Sequence, residues 1–182
     1  MIVAFSLQVS VFSFLLAGCS LPRPQADTVR YFTLDAGTPA AAPVADGANV
    51  RPVKLAGHLD GRSMAVRVAG HEVVYLEDVR WAERLDVGLT RLLQTRLRAI
   101  GGGATVTVEV SRFELVRSEG NSVQLTATYS VLPAGAGKDA ARRGAFTSAP
   151  RTWDGKDPGV LVGLLRDAAG ELGDALAAAV AR

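Results

Sequence analysis

Two stretches in the middle of the chain alternate apolar and polar residues: Thr105–Arg117 (TVTVEVSRFELVR) and Val123–Leu132 (VQLTATYSVL). A period of two sends successive side chains to opposite faces of an extended strand. Between them, Ser118–Ser122 is centred on Glu119-Gly120-Asn121, a turn signal, so the two runs predict a long antiparallel pair. Shorter runs of the same character are Val29–Leu34 (VRYFTL), Val50–Ala56 (VRPVKLA), Ser63–Val68 (SMAVRV), Glu72–Leu76 (EVVYL) and Arg142–Ser148. Pro52 confines the second of these to a strand start, an edge or a bulge, because proline cannot donate to a ladder. Ala69-Gly70-His71 predicts a hairpin between the third and the fourth.

The period changes twice. From Arg80 to Ile100 the apolar positions are Trp81, Leu85, Leu89, Leu92, Leu93, Leu97 and Ile100, recurring at three- and four-residue spacing on one helical face. Asp78 is the expected cap and Gly101-Gly102-Gly103 the expected stop. A second helix opens at Asp157-Pro158, with a capping residue and a first-turn proline in their preferred places. Its stripe is Leu161, Leu165, Ala168, Leu172, Leu176 and Val180. Together these elements predict a single α+β domain, an antiparallel sheet with two long helices packed on one face.

The first 28 residues do not belong to that domain. Ile2–Ala17 (IVAFSLQVSVFSFLLA) carries no charge but is interrupted by Ser6, Gln8, Ser10 and Ser13. It is shorter than the roughly 20 apolar residues of a membrane span and suits the apolar region of a secretory signal. Leu16-Ala17-Gly18-Cys19 follows, containing the one cysteine of the chain. A lone thiol forms no intramolecular disulfide and no metal site, but this tetrapeptide resembles the lipobox of bacterial lipoproteins. In that signal the cysteine thiol receives diacylglycerol, and the peptide is cut before it. Residues 1–18 are therefore expected to be a signal peptide, Cys19 a lipidation site, and 19–28, with Pro22 and Pro24, a lipidated tether. The domain then runs over 29–182, with a low-complexity Ala/Pro/Gly loop at 35–49. A signal normally begins with Lys or Arg and none precedes Cys19; a translation start upstream of Met1 would supply one.

Composition adds little beyond this. At 182 residues with 48% hydrophobic and 21% charged, the chain can bury a core of its own. The balance of 20 Lys+Arg against 18 Asp+Glu points to no nucleic-acid partner. The two histidines, His58 and His71, and a cysteine assigned to lipid assemble no metal site, and no Gly-x-Ser-x-Gly elbow occurs. Glu83, beside Trp81 and Arg84, reads as an exposed carboxylate at a helix start, favoured by the dipole. No catalytic residue and no cofactor is expected.

Several of these segments, taken in order, resemble the PqiC-type auxiliary lipoproteins of ABC transport systems. The family carries a Tyr-[Phe/Tyr]-x-Leu strand soon after the lipidated cysteine, here Tyr31–Leu34. An Arg-Trp-Ala-Glu-x-Leu helix follows, here Arg80–Leu85, and then a Val-x-Arg-Phe-[Asp/Glu] strand, here Val110–Glu114. An alanine-rich helix ends the chain. Gly57–Gly61 departs from the proline- and aspartate-containing stretch common there, and Gly163, Gly170 and Gly173 make the closing helix unusually glycine-rich. The resemblance implies a non-catalytic accessory lipoprotein whose partner is an MCE-domain protein, a conduit for phospholipids between the two membranes of a Gram-negative envelope. Anchored through acyl chains on Cys19, it would stand at the periplasmic face of the outer membrane. Ser20 fits that address under the rule by which Asp in its place retains a lipoprotein at the inner membrane. A periplasmic lipid-binding carrier is one alternative, and an outer-membrane assembly factor resembling the lipoprotein of the lipopolysaccharide translocon is another. Contacts are expected at the edge of the early strands and at the loops Gly57–Gly61 and Ala134–Ala141, where a second copy of the chain (a homo-oligomer) or another protein would pair.

Overall fold

Alternation in the chain becomes a nine-stranded sheet, and helical spacing becomes two helices laid across one of its faces. The computed structural model describes residues 28–34, 47–100 and 102–182. The expected signal peptide, Cys19, the tether through residue 27 and most of the 35–49 loop lie outside them. In chain order the elements are β1 Arg30–Phe32, β2 Asn49–Val50, β3 Lys54–Leu55, β4 Ser63–Ala69, β5 Glu72–Trp81, α1 Leu85–Leu97, β6 Thr105–Val116, β7 Ser122–Leu132, β8 Arg142–Thr147, β9 Arg151–Thr152 and α2 Pro158–Val180. The sheet order is β1-β5-β4-β6-β7-β8, with β2 and β3 also on β6, and β9 also on β7.

The single α+β domain is as expected, but the sheet is mixed rather than antiparallel. β1 runs parallel to β5, and β2, β3 and β4 all run parallel to β6. The hairpin β4–β5 and the pairs β6–β7 and β7–β8 are antiparallel. For β4 and β6 the cause is α1, which connects β5 to β6 and lets β6 land beside β4, in the same direction, instead of beside β5. The run expected at Val50–Ala56 divides at Pro52. Arg51 donates to the Val106 carbonyl and Ala56 to the Val110 carbonyl, but Pro52 has no N–H to give. The next N–H, that of Val53, turns to α1 and meets Thr90 Oγ1 at 2.9 Å.

The first helix begins five residues later than its spacing suggests. Arg80 and Trp81 are the end of β5, and Trp81 N–H bonds to the Arg62 carbonyl at 2.7 Å. Asp78 is an exposed strand residue and not a cap; Arg84 precedes the helix without a side-chain cap. Trp81 and Leu85 are both buried in the same core, so their four-residue separation continues the helical stripe across a strand–helix boundary. Within α1, Leu85, Leu89, Leu93 and Leu97 are buried, and Gly102 and Gly103 beyond it both take positive φ. In α2 the expected stripe is buried at Leu161, Leu165, Ala168, Leu172 and Leu176, with Val180 partly so. Asp157 caps this helix by accepting from Gly159 N–H at 3.0 Å. That bond first, and Arg30 second, hold its carboxyl below the ordinary value.

The glycines of α2 have a packing reason. A Cβ on Gly173 would stand 2.7 Å from Arg96 Cδ, and one on Gly170 2.9 Å from Arg96 Nη2. The stem of Arg96 thus crosses α2 through a notch of missing side chains and pairs with Asp174 beyond it. Beneath the helices, β6 presents Val106, Val108, Val110, Phe113 and Leu115, all buried, with Trp81 6.0 Å from the Phe113 ring centroid.

Candidate functional site

The faces of β6 exchange parity at one residue. Val110 pairs with Ala127 and Arg112 with Thr126, so Ser111 is an extra residue, a β-bulge. Beyond it Phe113 and Leu115 point to the helices, while Arg112 and Glu114 point to the opposite face. Glu114 is nevertheless fully buried. Its carboxylate takes two bonds from one guanidinium, Arg67 Nε to Oε1 at 2.6 Å and Arg67 Nη2 to Oε2 at 3.2 Å. Arg67 comes from β4, which pairs with this end of β6. Arg112 Nε stands 3.8 Å from Oε1 and donates through Nη1 to Gln124 Oε1 at 2.7 Å. His58 Nε2 lies 3.5 Å from Oε2. A single-turn helix, Gly57–Leu59, carries His58; it is held down by buried Leu59 and by Tyr75, whose hydroxyl donates to the His58 carbonyl at 2.9 Å.

Chemically this is a clamp. A bidentate guanidinium satisfies a buried carboxylate and neutralises it, and the cluster ties β4, β6 and the turn before β4 into one unit. Removing one partner of such a pair leaves an uncompensated buried charge, at about 3–5 kcal/mol. Glu114→Ala is therefore expected to lose that much stability in urea unfolding, and Glu114→Leu combined with Arg67→Met to recover most of it. A loss below about 1 kcal/mol for the single variant would show that the clamp does not hold β4. The sequence contained Glu114 in the Val110–Glu114 motif, but nothing local marked its partner, 47 residues away.

Trp81 is core. Glu83 is not a free helix-start carboxylate: it is only 25% exposed and paired bidentately with Arg91. His71 is exposed at the β4–β5 hairpin. In the loop Gly57–Gly61, His58 and Leu59 face inward, and Gly57, Asp60 and Gly61 are exposed. In Ala134–Ala141, Lys138, Asp139 and Ala140 form an exposed turn leading to β8. Two further carboxylates are held below their ordinary values, Asp86 chiefly by its bond from Arg84 and Glu171 chiefly by Arg151. Among the described residues no group of His, Cys, Asp and Glu is placed to hold a metal, and no helix is long and apolar enough to cross a membrane. Cys19 lies outside the described residues.

Comparison with solved structures supports the architecture. One crystal structure, described as an uncharacterized protein, shares 16% identity at a TM-score of 0.64, covering 82% of this chain and 97% of that one. Another, of a Xanthomonas campestris protein assigned to the family designated DUF330, shares 17% identity at a TM-score of 0.59, covering 84% and 91%. No curated protein sequence matches the chain. The model of one family, described as the ABC-type transport auxiliary lipoprotein component, matches residues 32–177. That match spans Arg80–Leu85 and Val110–Glu114 and all but the first residue of Tyr31–Leu34, three of the segments that carry the resemblance. By this match the chain belongs to the ABC-type transport auxiliary lipoprotein family.

Proposed function

We propose that the chain is a non-catalytic, lipid-anchored accessory subunit of an MCE-type intermembrane lipid transport system, standing at the periplasmic face of the outer membrane. The observation that carries the reading is the union of two features in one chain. A tetrapeptide resembling a lipobox ends at Cys19, and the domain behind it matches the auxiliary lipoprotein component of ABC-type transport over 32–177. Acyl chains on Cys19 would hold the domain at a membrane, each buried methylene contributing about 0.8 kcal/mol. An auxiliary component acts by association, and a scaffold braced by the Glu114 clamp suits that role. Its carboxylate is engaged by Arg67. The expected partner is the MCE-domain protein.

The test is purification of the full chain from membranes in non-ionic detergent, with light scattering before and after adding an MCE-domain protein encoded beside it. A shift to a complex of both proteins supports the proposal. A particle that never changes size with that partner at micromolar concentrations overturns it, and long acyl chains recovered from the washed domain would favour a lipid carrier instead.

A further inference from the structure

A sheet of this order has two ends, and they are built differently. β1 is three residues long, and its Arg30 is occupied, 3.1 Å from Asp157 and over the Phe32 ring. β8 is six residues long, free of proline, and pairs with Thr126–Val131 without a register shift. Among the described residues its other side has no strand. Shortness, bulges, proline and charged side chains are the usual protections of an edge; β8 has only the last, and its charge is all positive. Residues 138–147 hold Lys138, Arg142 and Arg143 against the single acid Asp139, all exposed. None of these three cations belongs to an ion pair among the described residues, whereas Arg30, Arg67, Arg91, Arg96 and Arg151 each face a carboxylate.

The two faces of this edge differ as well. Arg143, Ala145 and Thr147 align with Ser130, Thr128 and Thr126 on the polar face of the sheet. On the helix side, Gly144 lies directly opposite Tyr129, whose ring fills the space of a side chain: a Cβ there would be 2.4 Å from Tyr129 Cζ. Tyr129 and the partly buried Phe146 thus make an apolar shelf flush with the strand. A neighbouring strand places directly opposite side chains about 4.5–5.5 Å apart. It would therefore meet apolar contact on the shelf and guanidinium groups at the Arg142–Arg143 end.

We propose that the outer edge of β8 is a strand-addition site for an extended acidic segment of a partner protein. Main-chain hydrogen bonds to β8 supply the affinity, and the arginines select acidic side chains. The proposal goes beyond the transport reading and stands whether or not the partner is an MCE-domain protein.

The test uses the full chain in non-ionic detergent and three synthetic ten-residue peptides. One alternates Glu and Val, one is the same peptide N-methylated at alternate residues, and one alternates Lys and Val. Hydrogen–deuterium exchange reads protection of residues 142–147, and titration reads affinity. The Glu/Val peptide is expected to protect β8 and to bind at least about tenfold more tightly than the methylated one. With its glutamates on the Arg143 face the peptide sets valines opposite Arg142, so one exposed charge pair contributes up to about fivefold; Arg143→Glu should lose that factor and regain it with the Lys/Val peptide. An unchanged melting curve of this exposed variant shows that the fold is intact. Equal binding of the methylated peptide reduces the site to charge attraction and overturns the proposal. Absence of protection overturns it too, as does protection that rises with protein concentration alone, which would make a second copy the occupant.

Discussion

A chain carrying Leu89→Asp is expected not to fold. Leu89 is the centre of the α1 stripe and has no exposed surface. It lies one turn from Leu85 and Leu93 and shares their cluster with β6 and α2. A carboxylate there would meet apolar neighbours on every side. Burying it without a partner costs several kcal/mol, on top of the packing lost when a leucine is removed. Whole domains are stable by only about 5–15 kcal/mol. The measurement is a urea titration followed by near-ultraviolet circular dichroism, with Val87→Asp as control. Val87 is 47% exposed in the first turn of the same helix, where a negative charge suits the dipole, so this variant should melt like the parent. A soluble, cooperatively unfolding Leu89→Asp protein would mean that another face of α1 is the buried one.

Cys19→Ser is expected to leave the protein as an uncleaved precursor without acyl chains. The modification needs a sulfur nucleophile, and a serine hydroxyl is a far poorer one at neutral pH because it stays protonated. Metabolic labelling with an alkyne analogue of palmitate should mark the parent and leave the variant blank, with the variant heavier by the retained signal. The folded domain should be untouched, since β1 begins at Arg30, eleven positions further on. Equal labelling of both proteins would remove Cys19 as the attachment point.

Much of the core could be read directly from the pattern. Leu161, Leu165, Leu172 and Leu176 were visible at helical spacing, and the β6–β7 pair could be read nearly to its ends. Strand direction was not legible. The alternation of Lys54-Leu55 or Ser63–Val68 says which side chains face inward, but nothing about whether the neighbour runs up or down. The start of α1 was obscured by Trp81, a strand residue that falls in phase with Leu85. The Arg67–Glu114 clamp was invisible for a different reason. Each residue alone reads as an ordinary solvated charge, and only the parallel landing of β4 beside the end of β6 brings them together. The glycines of α2 looked like a weakness in a helix until Arg96 occupied the space they leave.

Because Ser111 is supernumerary in the ladder, it acts as a punctuation mark between two phases of the same strand. Every side chain after it answers to a reading frame shifted by one. Without it, Phe113 and Leu115 would turn to the polar side and Arg112 and Glu114 into the leucine layer beneath the helices. The insertion and the buried glutamate therefore travel together: a descendant sequence that closes the gap at 111 must also give up Glu114, and with it the lock on β4.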